Sequence, residues 1–467
     1  MRTLSLALRN LLRNRRRTLA TLAAIAIGGI SVLLFGGFSA NIKYSLQTGY
    51  VRTVGHLQIQ HRDYYLFGSG DPTAYGIQRY IAILDGIRSD PVLRQIVTVA
   101  TPTLQFGGVA GNYDAGVSRT IIGNGLVAED HLRMRQWNRY ALDLVAPPMR
   151  LSGAPPNAAV VGTGVARVLL MCKVLNVADC PTPERAARNH GADIPDDIAA
   201  LSLSEDNSQI TPAGSERSAR RIELLVGSAR GTPNVASLQV IGAENQGFKE
   251  LDDFYLFMHL AQAQRLVFGA SQPKVSALMV QLEDTRQTTA AISRLQSLLP
   301  NWAPGESLVV HDFATLNPFY VQSLQLFDMI FGFMLVLIGG IVMFTVGNTM
   351  NTAVVERTIE IGTLRAIGLR QRDIRRLFVT EGFVIGVVGA ALGVVVAVAA
   401  AWAINRMGFH WRPPGSAERV PLVLVVWGEI GMLVGTALVL VLLTTLSAWW
   451  PAWRAARLNM VDALRHA

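Results

Sequence analysis

Four uncharged, strongly apolar stretches constrain this chain more than anything else in it: residues 18–38, 329–355, 382–404 and 430–450. About 20 helical residues cross the roughly 30 Å hydrocarbon core of a bilayer, and each stretch reaches that length. Inside lipid every backbone donor and acceptor must be paired within the segment, so the stretches are predicted to be helices. The expected fold is an α-helical membrane protein with four transmembrane helices, at 18–38, 329–349, 382–404 and 430–450. A large α+β extracytoplasmic domain is inserted between the first and second. Half the residues are hydrophobic and 16% are charged, as such a class requires.

The net charge of +9 would suit nucleic-acid binding if it were spread over a soluble face. It is not spread that way. Residues 1–17 carry six arginines and no acid, 356–381 six arginines against four acids, and 451–467 three arginines against one acid, which leaves the rest of the chain at a net −1. Arginine clustered beside apolar spans marks the cytoplasmic side. Both termini and the 350–381 loop are therefore expected in the cytoplasm, where the basic residues meet lipid headgroups; no nucleic-acid partner is implied.

The first run is longer than the 7 to 15 residues of a signal-peptide core, so it is expected to stay as an anchor. Ile42, Leu46, Tyr50 and Val54 continue at a spacing of four, extending that helix as a stalk. Strands are predicted at 56–61, 96–101, 119–122, 158–161, 222–226, 237–241, 276–282 and 308–310, and helices at 77–87, 163–175, 260–268 and 286–299. Between 181 and 220 the chain is polar and rich in Pro, Ser, Glu and Asp, which reads as a mobile loop. Asn317-Pro318 reads as an N-cap and first-turn pair opening the second membrane helix. An outer loop, 405–429, joins the last two spans, and Trp449, Trp450 and Trp453 form an aromatic belt beside Arg454 and Arg457.

Residue chemistry excludes several activities. A P-loop needs a lysine following a glycine, and none of Lys43, Lys173, Lys249 and Lys274 does so. Gly162-Thr163-Gly164 follows a strand and opens a helix, but Arg167 stands at the third glycine position of a dinucleotide fingerprint, so helix packing is the reading. His56 and His61 read as ordinary surface residues rather than metal ligands. No catalytic constellation, bound metal or cofactor is expected. Cys172 and Cys180 are expected to form a disulfide, with two buried thiols as the alternative. Glu381 and Glu429 are placed within headgroup reach of a membrane edge.

In the loop between the second and third spans, Ile359, Ile361, Leu364 and Ile367 lie at near-helical spacing, Glu356 and Glu360 sit toward the N-terminal end of the dipole, and Gly368 supplies a C-cap. The string Glu356-Arg357-x-x-Glu360-Ile361-Gly362-x-Leu364-Arg365-Ala366-Ile367-Gly368, followed by Glu381-Gly382 and by Pro451-Ala452-Trp453-Arg454-Ala455-Ala456-Arg457-Leu458 with Ala463-Leu464-Arg465, resembles the FtsX/MacB/LolC-LolE superfamily of ABC transporter permeases. Among its branches the lipoprotein-releasing LolC/LolE type is the most similar, and the inserted domain resembles the MacB-like periplasmic core.

That resemblance implies a permease of the mechanotransmission type in the bacterial inner membrane. A coupling helix containing Glu356, Arg357, Glu360, Ile361, Leu364, Arg365, Ile367 and Gly368 would seat in a cytoplasmic ABC ATPase, which would hold ATP and Mg. MacB itself carries its ATPase on the same chain, whereas here the first span begins at residue 18, so a separate ATPase is expected. A second permease chain, identical or a paralogue, and a lipoprotein or periplasmic carrier are the other implied partners. The alternative is an FtsX-like relay that controls an extracellular cell-wall enzyme without transport.

Overall fold

The computed structural model describes residues 13, 15–68, 74–142, 148–178, 220–228, 231–245, 252–411 and 420–457. The 181–220 loop up to residue 219, Cys180, the basic tail before Arg13 and the ending from Leu458 onward lie outside these residues. The chain divides into two compact units, Leu46–Pro318 with Arg412–Arg419, and Met1–Ser45 with Phe319–Trp411 and Val420–Ala467.

In the first of these units we label the strands β1 (Leu57–His61), β2 (Val97–Asn112), β3 (Val117–Leu126), β4 (Ala158–Gly162), β5 (Arg221–Gly227), β6 (Pro233–Glu244), β7 (Tyr255–His259), β8 (Ala277–Leu282) and β9 (Leu308–Asp312). The helices are α1 (Tyr64–Phe67), α2 (Tyr80–Ser89), α3 (Leu93–Ile96), α4 (Ala128–Arg135), α5 (Thr163–Val168), α6 (Cys172–Leu175), α7 (Leu260–Phe268), α8 (Thr288–Trp302) and α9 (Phe313–Leu316). The pairings run β3-β7-β4-β6-β5-β2-β8-β1-β9, and β3 also pairs with β2, so six strands close a ring from which β8, β1 and β9 extend. Closure removes the open edges that a flat sheet would leave. Phe106 lies across Gly123, where a Cβ would come within 2.2 Å of its ring. The main core contains Phe106, Leu104, Val161, Leu256, Met258, Leu278 and Val280, with α2, α3, α7 and α8 packed onto it.

Three expectations need correction here. The helix predicted over 163–175 is two short ones, because Leu170 adopts φ 55° between α5 and α6. Asn317 does not cap the next helix with its side chain; its Nδ2 donates back to the Phe313 carbonyl at 2.7 Å. His56 is not a surface residue but fully buried. Its Nδ1 accepts from the Leu282 backbone N–H at 3.0 Å, so Nε2 carries the proton and donates to Thr285 Oγ1 at 3.1 Å. Trp137 and Phe313 meet the ring edge-on.

Burial lowers the His56 pKa to about 4, against a smaller opposing pull from Asp284. An unfolded histidine takes up its proton near pH 6.5. The unfolded chain therefore binds more protons between pH 6.5 and 4, and stability present above pH 6.5 is lost as pH falls through that window, by about 3 kcal/mol at full extent. Hydrogen exchange of β1 should accelerate over this interval, and His56→Gln should flatten the dependence.

The other unit carries most of the four helices that, among the described residues, are long and apolar enough to cross a membrane: Arg15–Val54, Pro318–Glu356, Gln371–Met407 and Ile430–Ala456. Ile25, Val342, Val346, Ile385 and Leu440 meet in its core. Glycines on the third long helix set the spacing. A Cβ at Gly382 or Gly386 would run into Ala448 or Thr444 of the fourth, and one at Gly389 into Ile25 of the first. Small residues that admit close backbone approach are what helix association in lipid depends on. The segment before the fourth helix is tied down at both ends of Leu424 by Asn405, at 2.9 and 3.1 Å, and Val425 N–H donates to the Gly37 carbonyl. Glu429 accepts a hydrogen bond from the Tyr44 hydroxyl.

Candidate functional site

Between the second and third long helices the chain makes one short helix, Thr358–Ala366. The second helix ends as the backbone turns at Arg357, and Thr358 Oγ1 donates to the Val354 and Val355 carbonyls at 3.1 and 2.8 Å. At the other end Leu369 N–H reaches the Leu364 carbonyl and Gly368 N–H that of Arg365, with Gly368 at φ 107°. This is a Schellman ending, which needs a residue that tolerates positive φ. Arg370 N–H then donates to Asp373 at 3.2 Å as the third long helix begins.

The inner face of this helix is fixed in two ways. Ile361 packs with Val354, Ile374, Phe378, Ala452 and Ala455. Beside it, Arg357 Nη1 lies 3.0 and 3.3 Å from the two oxygens of Glu381, while its Nε donates to Glu360 at 3.1 Å and its guanidinium sits over the Phe378 ring. Glu381 is 4% exposed and Arg357 15%, so the pair is buried within the protein and Glu381 is not a headgroup-facing acid. Removing such charges from water costs several kcal/mol per ion, and only close pairing with further hydrogen bonds offsets it. Those hydrogen bonds are present.

The acids on the outer side are engaged too. Arg13 bonds Glu360 and Arg17 bonds Glu356. Partial burial opposes ionisation of Glu360, yet the hydrogen bonds from Arg13 and Arg357 prevail and hold its carboxyl below the usual range. Leu364 and Arg365 are half-buried, whereas Ile359, Ile367 and Leu369 are exposed, Ile367 to 80%. The four apolar positions expected to share one face therefore divide, with Ile361 anchoring inward and Ile359 and Ile367 pointing away. The predicted residues lie on one strap; Arg357, Glu360 and Ile361 are held against the long helices, and Glu356 is bonded to Arg17 of the first. Sequence reasoning left out Phe378, Ala452, Ala455, Arg13 and Arg17; the signal for the buried pair was an acid placed directly before an apolar run. Cys172 is disulfide-bonded, and Cys180, the other cysteine of the sequence, falls outside the described residues.

Comparison with known proteins places this strap. Residues 329–460 match the family described as FtsX-like permease C-terminal. The macrolide export ATP-binding/permease protein MacB of Chromobacterium violaceum is 25% identical over 244 residues, 52% of this chain and 34% of that protein. The lipoprotein-releasing system transmembrane protein LolC of Neisseria meningitidis is 25% identical over 175 residues, 38% of this chain and 41% of LolC. The chain thus spans well under half the length of these relatives. Among solved structures, the periplasmic region of MacB from Actinobacillus actinomycetemcomitans aligns with 58% of this chain and 94% of its own, at 12% identity and a TM-score of 0.30. The match over 329–460, which takes in the strap and the long helices around it, together with relatives of both the MacB and LolC kinds, supports the FtsX/MacB/LolC superfamily for this chain.

Proposed function

We propose that this chain is the permease subunit of an ATP-driven ABC transporter working by mechanotransmission. The observation that carries the proposal is the divided strap helix: one side is locked into the long helices by Arg357, Glu381 and Ile361, and the other presents Ile359, Ile367 and Leu369 outward. A lever needs both properties, a rigid root and a free contact face. A separate cytoplasmic ATPase, holding ATP and Mg, would grip that face and push. The long helices would carry the motion to the α+β unit, on the periplasmic side of the bacterial inner membrane, with both termini cytoplasmic. A second permease chain would complete the pair that two ATPase subunits require. The LolC and MacB relatives support release or export of a lipoprotein or another hydrophobic substrate.

Exposed apolar residues at a contact centre carry a large share of binding energy. Ile367→Asp and Ile359→Asp should therefore lower copurification of the partner ATPase at least tenfold, with the thermal midpoint of the chain unchanged. Retained copurification would refute the docking face. Stimulation of ATP turnover by a lipoprotein or lipid supports transport; stimulation by a cell-wall enzyme alone would instead establish the relay.

A further inference from the structure

A second site lies within the α+β unit. Strand β2 begins at Val97 beside β8, with Val97 opposite Leu282, Val99 opposite Gln281 and Ala100 opposite Val280. Its pairing with β3 starts only at Leu104 and that with β5 only at Gly108. Over Val97–Ala100, among the described residues, β2 is therefore paired along one edge, and a shift in register between Val97 and Val99 displaces Thr98 from the ladder. A cleft of about 230 Å³ follows this stretch. Its walls are Ile87 and Arg88 of α2, Arg94 of α3 and Arg133 of α4.

The charge of the cleft is weakly neutralised. Arg94 makes no ion pair among the described residues. Arg88 lies 3.6 Å from Asp85, and both side chains are about two-thirds exposed, a pair of little strength in water. Arg133 bonds Asp130 at its own helix spacing and keeps 62% of its side chain exposed. Three guanidinium groups therefore flank a half-paired strand, and among the described residues no acid lines the cleft. An unpaired edge offers a row of backbone donors and acceptors, the template on which an extended chain adds as a further strand. Arginine forks bind carboxylates in a fixed, bidentate geometry.

We infer that the β2 edge is a docking site for an extended acidic polypeptide segment, which adds to Val97–Ala100 by strand pairing while its carboxylates engage Arg88, Arg94 and Arg133. A free oxyanion would need the arginines but not the edge, and an apolar peptide the edge but not the arginines; the cleft joins both. The partner is thus a protein with an accessible, negatively charged strand or tail. This site stands independently of the ATPase-coupling reading.

The test uses the full chain in detergent and a fluorescein-labelled peptide of alternating glutamate and valine, read by fluorescence anisotropy. Three controls accompany it: the same peptide with alternate backbone nitrogens methylated, a lysine-for-glutamate version, and inorganic phosphate as competitor. The acidic peptide should bind at least tenfold more tightly than the methylated and lysine versions. Arg94→Glu should weaken it at least tenfold, Arg94→Gln by less, and neither should move the thermal midpoint. Equal binding of the methylated peptide, displacement by equimolar phosphate, or an unchanged affinity in Arg94→Glu would each overturn the inference.

Discussion

Replacing Arg357 by alanine should destabilise the membrane unit by about 3 to 5 kcal/mol and, on the proposed ATPase coupling, uncouple ATP turnover from substrate, because it removes the cation bonded to the buried Glu381. The size follows from burial: Glu381 is 4% exposed and its carboxylate lies 3.0 Å from Arg357. An exposed pair would be screened and worth little. Arg357 also holds Glu360 and covers Phe378, so the alanine removes the root of the strap helix as well as a charge. The thermal midpoint of the purified chain and substrate-stimulated ATP turnover with its partner are the two readouts. A paired change, Arg357→Met with Glu381→Leu, removes both charges and should regain most of the stability, since apolar replacement of a whole buried pair is often neutral. It should not regain coupling, because Glu360 would lose its inner partner. If the single variant were as stable as the parent, the buried pair would have no mechanical role.

The second large effect is expected at Gly386. A Cβ there would stand 2.0 Å from Thr444 Oγ1 and 3.3 Å from the Val441 Cα, so a larger side chain must push the third and fourth long helices apart. Thr444 is fully buried and its hydroxyl donates to the Val441 carbonyl, which leaves it little freedom to yield. Overpacking of a tight interior costs typically about 1 to 3 kcal/mol and more when backbone must move. Gly386→Leu should lie above that range and abolish recovery of folded protein from detergent, while Gly386→Ala should lower the thermal midpoint measurably. Gly340 and Gly435, on neighbouring long helices, have nothing within 4 Å of a built Cβ. Alanine at either should be neutral or mildly stabilising, because glycine within a helix carries a penalty of about 1 kcal/mol. Equal behaviour of the Gly386 and Gly340 variants would show that the helices are not held at this seam.

Legibility differed from element to element for physical reasons. Helix α7 lies at the residues expected from periodicity, Leu260–Phe268, because its apolar positions repeat at helical spacing and glycine follows. Strand β7 was missed just before it. Tyr255–His259 is flanked by β3 and β4 and runs straight into Leu260, so no turn residue separates strand from helix and the apolar run has no alternation to read. Helix α4 was missed for the opposite reason: its buried positions are only Ala128, His131 and Met134 in an octet of which four residues, Glu129, Asp130, Arg133 and Arg135, are charged. Strand β2 is far longer than expected because its two halves pair with different partners, a fact of topology rather than of composition.

At the strap, the helix and its glycine ending were written locally, in Glu360 and Gly368, since capping and dipole preferences act within one turn. The pairing of Arg357 with Glu381 was not, for the two are 24 positions apart and meet only when two long helices pack. By itself the sequence determined how many stretches could cross a membrane, where the basic charge gathers and where the strap helix stops, all sums over neighbouring residues. Tertiary structure alone decided which charges lie inside, which isoleucine anchors and which stays free, why His56 is buried neutral, and which glycines set the helix spacing. Burial and ion pairing depend on residues that only folding brings together, and no local pattern encodes them.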